Sequence, residues 1–427
     1  MSFKKASWIN NTNVYEVNLR QYSAAGTIKA FEKELPRLKE MGVHVLWFMP
    51  ITPIAQKNKK GSLGSYYACS DYTSVSDEFG TLADFRSFVV QAHEMGFKVI
   101  IDWVANHTGW DHVWTKTNPE YYKQENGDFK IASGMDDIIE LDYGNTAMRK
   151  AMIAAMQFWI EECDIDGFRC DLAAWVQLDF WIEARTELEK VKTLFWLAEC
   201  DGIENFNYYE AFDACYCWTW MHKSAEFYKH NGSKKTLEAL LYQYSHCTGD
   251  HNQVLWYTSN HDENSWNGTE YEKYGDAAKA FAVHSFTWNG IPLIYSGQEL
   301  PNHKRLAFFD KDVIEWNGEY EMQDFYATLL KLHSNNTALR GGDAAVSTHM
   351  LHTSADDKVL AYLRKNGSDE VLVLLNMCNE KTACTLYDDK VNGHFKNVFT
   401  GAIINANEQK HFDMQPWDYL VFEKSYQ

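Results

Sequence analysis

The segment DIDGFRCDLAAW, residues 164–175, places Arg169 and Asp171 two positions apart in an otherwise apolar, strand-like run. Side chains on a strand alternate faces, so the two charges share one face while Phe168 and Cys170 take the other. Burying such a pair is costly unless the groups satisfy each other, and a structural salt bridge explains one pair as well as a functional site does. Charged residues recur at equivalent places, however. Asp102, Asn106 and His107 stand in DWVANH, Glu199 in WLAEC, and His261 with Asp262 in TSNHD, each after its own apolar run. A lone strand-end aspartate is usually a helix cap. Four carboxylates, two histidines and an arginine from four strand ends make capping a weak account.

These residue types suit glycoside hydrolysis, in which a carboxylate and a carboxylic acid flank a sugar C1 through an oxocarbenium-like transition state. The two carboxyls need opposite protonation states. Arg169 beside Asp171 is expected to hold that aspartate ionised, and the apolar run TLFWLA before Glu199 is expected to raise its pKa and keep its proton. A metal hydrolase using His107 and His261 is the other reading, but no H-x-H or H-E-x-x-H pair accompanies them.

The elements that must carry these residues follow a repeated rhythm. In ELPRLKEMGVHVLWFMP, Phe31 upstream with Leu35, Leu38 and Met41 fall at helical spacing, and Gly42 is placed to end the helix. Leu82, Phe85, Val89 and Ala92 repeat the pattern before Gly96. The continuous apolar runs between helices predict parallel strands buried on both faces. Strands are expected at 14–19, 43–49, 99–104, 167–172, 194–199, 212–217, 255–260 and 292–296, the number that closes a (β/α)8 TIM barrel. An open doubly wound sheet would bring a G-x-G-x-x-G turn, and none follows these strands. The barrel is assigned to residues 1–107 and 145–340. A polar and aromatic stretch at 108–144 is too long for an ordinary loop and is read as a small inserted domain. From 341 to 427 short alternating strands predict a C-terminal antiparallel β-sandwich packed on the barrel.

The 427-residue chain carries a formal net charge of −19, which argues against nucleic-acid and anionic-membrane partners. No apolar run reaches the ~20 residues of a membrane helix. The start, MSFKKASWINN, has no apolar signal core, so the expected location is the cytoplasm, or the periplasm or exterior if a signal was removed. Nine scattered cysteines, including Cys215 and Cys217, fit buried thiols better than zinc ligands. Aromatic residues make up 15% of the chain, 16 of them Trp, which suits sugar stacking although most must be core.

With these motifs in order, the chain resembles the α-amylase family of glycoside hydrolases (family thirteen) over nearly its whole length. GVHVLWFMPITP, GIPLIYSGQE and LGSYYACSDYTSVSDEFGT add to the agreement. The resemblance implies a catalytically intact enzyme that cleaves α-1,4-glucosidic bonds of starch, glycogen or maltooligosaccharides by a retaining double displacement. It implies Asp171 as nucleophile, Glu199 as general acid/base and Asp262 as transition-state stabiliser. The implied substrate-binding surround is Tyr67, Asp102, His107, Arg169, Trp175 and His261, with Tyr67 as the floor, Arg169 orienting Asp171 and Asp102 mainly structural. No cofactor is needed for the chemistry and no obligate protein partner is implied. A structural calcium is the open question, since Asn106 matches a calcium-ligating asparagine. Its acidic partner would come from Asp128, Asp136 or Asp137, and Trp175 replaces the histidine that supports the familiar calcium site. An α-glucan transglycosylase with the same triad, and an inactive barrel acting as a binding protein, are the alternatives.

Overall fold

The expected apolar runs pair side by side. In the computed structural model, which describes residues 3–425, eight parallel strands close into a barrel. They are Val14–Val17, Val45–Phe48, Lys98–Trp103, Gly167–Cys170, Phe195–Asp201, Ala214–Tyr216, Gln253–Trp256 and Ile291–Tyr295. The third strand lies beside the fourth and the fourth beside the fifth, with Asp102 opposite Arg169 and Arg169 opposite Leu197. Barrel closure therefore sets the ends of these three strands next to one another.

Local signals explain most of the surrounding helices. Leu82–Glu94 starts at a reciprocal Thr81–Asp84 capping box, and Asn145 caps Thr146–Cys163 through the amides of Ala147 and Met148. Gly42, at φ 101°, ends the helix before the second strand in a left-handed conformation that favours glycine. The first strand ends at Val17 and the fourth at Cys170, short of the expected 19 and 172, and two further expectations shift. The helix read across Phe31 to Met41 is broken into Ile28–Glu32 and Leu35–Met41, because Pro36 has no N–H to bond the Glu32 carbonyl and its ring crowds that carbonyl, so it sits in the first turn of a new helix. All four apolar positions remain buried. The seventh strand, expected at 255–260, ends at Trp256. There Thr258 bonds Glu270, and the Asn260 side chain accepts from the Glu263 amide, so local polar bonds replace the ladder.

After the third strand, His107–Gly109 pairs antiparallel with Met135–Glu140, the main strand of the inserted segment. At the C-terminal end a six-stranded antiparallel sheet faces a two-stranded one. Alternation divides its strand Val359–Asn366. Val359, Ala361 and Leu363 join the core of the C-terminal sheets, whereas Leu360 and Tyr362 join that of the barrel. All nine cysteines are free.

Gly167 marks a close approach between the fourth and fifth strands. A Cβ there would stand 2.1 Å from the Phe195 carbonyl oxygen, a backbone atom in the neighbouring strand. Gly167→Ala is expected to lower stability by about 1–3 kcal/mol, the scale of an overpacked core, in urea unfolding. It should also lower activity, because Arg169 lies two residues along. An unchanged midpoint would contradict the packing described here.

Candidate active site

Arg169 has a side chain with no exposed surface. Its Nη1 lies 2.9 Å from Asp102 Oδ1 and 3.1 Å from Asp171 Oδ1, and its Nη2 lies 3.0 Å from Glu199 Oε2. Nε donates to the Tyr216 hydroxyl at 3.0 Å. The rings of Trp47 and Tyr216 sit 5.0 and 5.4 Å from the guanidinium carbon. Arg169 thus contacts Asp102 and Glu199 as well as Asp171, one cation shared among three carboxyls. Burial and the facing Glu199 push Asp171 above the usual carboxylate range against the pull of Arg169. Asp102 is pushed up to about 6 by burial, again opposed by Arg169. Burial and the neighbouring carboxyls thus outweigh the pull of Arg169 that was expected to hold Asp171 in the ionised range.

A second hub sits beside the first. His261 Nε2 is 2.7 Å from the Tyr67 hydroxyl and 3.2 Å from Asp262 Oδ2, while Nδ1 bonds Glu16 of the first strand. The Tyr67 hydroxyl donates to Asp102 Oδ2 at 3.1 Å, joining the hubs. Burial disfavours a charged His261, but Asp262 and Glu16 outweigh it and hold the ring well above its ordinary pKa. Burial likewise acts to raise Asp262, yet His261 more than offsets it and the carboxyl is lowered. His107 behaves oppositely: burial pushes it down to about 4, so it is neutral.

Asp171, Glu199, Asp262, Tyr67, His107 and Trp175 line a cavity of about 480 Å³. Asp171 Oδ2 and His107 Nε2 have no protein partner, which leaves them for a ligand. Asp102, Arg169 and His261, expected in the substrate-binding surround, are not part of the cavity wall. They are buried behind it, where they hold the groups that face it. Leu172 follows Asp171 at φ 43°, a strained left-handed conformation for a branched residue. That turn aims its amide at Glu199 Oε2, 2.8 Å away. Trp175 is 49% exposed and borders two further cavities, one of about 300 Å³ running past Trp218 and His222 and one of about 440 Å³ beside Asn106.

Sequence reading missed several wall residues. Phe308 and Phe309 come from the long segment after the eighth strand, and Trp266 follows Asp262. Phe308 stacks on Tyr67 with centroids 6.1 Å apart. Lys60 spans to Asp136 and Asp137 at 2.9 Å each, tying the inserted segment across the cleft. Irregular segments carry no periodic signal for these positions. Glu16 did carry one, as a lone charge in the apolar strand VYEV.

The surroundings of Asn106 do not fit a calcium ion. Its Nδ2 lies 3.2 Å from His107 Nδ1, and the carboxylate in the adjoining cavity, Glu140, is already paired with both Lys123 and Lys130. Asp136 and Asp137 are engaged by Lys60, and the exposed Asp128 turns back on the Phe129 amide. Among the described residues no group of three His, Cys, Asp or Glu is arranged to hold a metal. Hard oxygen-seeking calcium needs several anionic or carbonyl oxygens, and here ammonium groups already occupy them.

Fold and site together define a barrel glycoside hydrolase. The chain belongs to the alpha-amylase family: the family's catalytic-domain pattern matches residues 5–137 and 121–342. Alpha-amylase MalA of Haloarcula japonica is 27% identical over 92% of this chain, which spans 60% of that relative's length. A noncanonic maltogenic alpha-amylase, AmyB of Thermotoga neapolitana, superposes with a TM-score of 0.84 at 30% identity, covering 97% of each chain. An alpha-amylase from Lactobacillus plantarum superposes with a TM-score of 0.87 at 26% identity, covering 98% of this chain and 100% of its own. The protein is an enzyme acting on O-glycosyl bonds. No helix of the described residues is long and apolar enough to cross a membrane.

The charge pairing at Glu140 predicts indifference to calcium. Thermal unfolding and activity are expected to be the same with and without excess chelator. A midpoint lowered by chelator and restored by calcium would overturn this reading of the Asn106 site.

Proposed function

We propose that the enzyme cleaves α-1,4-glucosidic bonds of starch, glycogen or maltooligosaccharides with retention, using Asp171 as nucleophile, Glu199 as acid/base and Asp262 as stabiliser. The observation that carries this is the shared guanidinium. Asp171 and Glu199 lie within 3.1 Å of its two terminal nitrogens, and two carboxyls held on one guanidinium suit direct attack, which needs them about 5–5.5 Å apart, better than the gap of about 6.5–9.5 Å that admits water. Glu199 also borders both the main cavity and the trough past Trp218. A glycosidic oxygen bridging the two would meet its proton there.

In this reading Asp171 Oδ2 attacks C1 while Glu199 protonates the leaving oxygen, giving a glycosyl ester. Glu199 then deprotonates water, which displaces Asp171 and restores both groups. Ionised Asp262, backed by His261, stabilises the positive charge that develops at the sugar. Neutral His107 offers its free Nε2 to a hydroxyl. A second reading, transfer to a sugar acceptor, is favoured by the aromatic trough. Trp175 is half exposed there, and Trp218 stacks on His222 at 5.7 Å, so an acceptor ring would find apolar faces beside Glu199.

Product analysis on maltooligosaccharides of increasing length separates hydrolysis from transfer, and proton NMR of the first product reads the stereochemistry. An initial β-anomer would overturn Asp171 as nucleophile. Asp171→Asn is expected to abolish turnover while oligosaccharide still binds. Glu199→Gln should slow oligosaccharide cleavage by about 10²–10⁴-fold, with much of the rate recovered on substrates whose leaving group needs no proton. Trp175→Ala should leave stability within about 0.5 kcal/mol, as for exposed positions, yet raise KM for long oligosaccharides and lower any transfer product. If it unfolds the protein instead, Trp175 is structural.

A further inference from the structure

Glu16 has no exposed surface and takes no part in the cavity wall, so no substrate touches it. Its Oε1 bonds His261 Nδ1, and its Oε2 has no partner. Proton directions around the ring are constrained. A carboxyl oxygen lies against each ring nitrogen: Glu16 Oε1 bonds Nδ1, and Asp262 Oδ2 stands 3.2 Å from Nε2, beside the Tyr67 hydroxyl. Both ring nitrogens therefore face acceptors. A neutral imidazole would aim a lone pair either at Glu16 or at the Tyr67–Asp262 side, a repulsion that burial makes costly.

We propose that Glu16 is a positioning residue: by accepting the Nδ1 proton it keeps His261 an imidazolium, which in turn fixes Asp262 and Tyr67 against the sugar. This rests on the assignment of Asp262 given above. The groups facing the pair come from every neighbouring strand end. Asp262 adjoins the ring, Tyr67 and Asp102 approach from the second and third strands, and Arg169, Tyr216 and Tyr295 from the fourth, sixth and eighth. Arg169 is the one cation among these named groups, and it is already engaged by three carboxyls. The edge of Trp47, 6.0 Å away, closes the remaining side.

Glu16→Gln keeps the shape and the acceptor oxygen but removes the charge, so His261 should lose its proton within the working range. The basic limb of kcat/KM is then expected to move down by at least about one pH unit. The loss should be about tenfold or more near pH 8 and small near pH 5, where the ring of the variant is still protonated. Glu16→Asp, which retains the charge, should keep the basic limb at its wild-type position even if kcat falls. Nitrogen NMR of histidine-labelled protein, with His261 assigned by its loss in His261→Asn, reads the ring without any substrate. Both nitrogens should be protonated at about pH 8 in the wild type and titrate below that in Glu16→Gln. A neutral wild-type ring at that pH would overturn the proposal, as would a Glu16→Gln pH profile identical to wild type. If Glu16→Gln does not fold, the wild-type spectrum and the Glu16→Asp profile still decide. Failure of the glucanase reading would appear separately, as a protonated ring in an enzyme that does not cleave α-glucans.

Discussion

A single buried cation organises the site. Desolvating a guanidinium costs several kcal/mol, which only close anionic partners with good geometry offset. Arg169 finds three such partners, on segments carried by the third, fourth and fifth strands. These strands are neighbours because the barrel closes in that order. The planar fork matters as much as the charge. Nη1 donates to Asp102 and Asp171 and Nε to Tyr216, while Nη2 stands in ion-pair distance of Glu199, an arrangement that the point charge of a lysine would not impose. The pair at the centre of the sequence reading is thus one edge of a larger charge cluster.

The cluster separates holding from reacting. Asp102, Arg169 and His261 lie behind the wall with their polar atoms largely engaged. Asp171 and His107 present unpartnered atoms to the cavity. Tyr67 joins the layers, with its hydroxyl on Asp102 and His261 and its ring between His261 and Phe308. The left-handed turn at Leu172 is paid for by this surrounding structure, and it leaves an amide on Glu199 that a regular strand would direct elsewhere.

Much of this was legible in the chain, for unequal reasons. Parallel strands buried on both faces write themselves as apolar runs, and charged groups at their carboxyl ends interrupt those runs, so both barrel and acids were visible. Pairings over long separations were not. Glu16 stands out within VYEV, but nothing near it points to His261, 245 positions away. The break before Leu35 escaped because four apolar residues keep a helical period across it while Pro36 alone ends it. Phe308, Phe309 and Trp266 lie in segments whose shape comes from tertiary packing, where periodicity has no meaning. The sharing of Arg169 was hidden because sequence spacing registers neighbours on one strand and not those across the barrel.

The inserted segment illustrates which forces place a cleft wall. Lys60 pairs with its carboxylates from outside, whereas Lys123 and Lys130 pair with Glu140 from within the same segment and so cannot fix its place against the barrel. The segment is positioned instead by a ladder in which His107 faces Glu140 and Thr108 faces Ile139, with Tyr122, Ile139 and Leu141 buried in the core shared with the barrel. One short sheet therefore fixes both His107 and the strand carrying Asp137 and Ile138 along the cavity wall. A shift of that ladder by one residue would turn His107 to the opposite face. The geometry of the wall and the histidine within it cannot vary independently, and the lysine pairs neutralise charges on a surface whose place the ladder has already set.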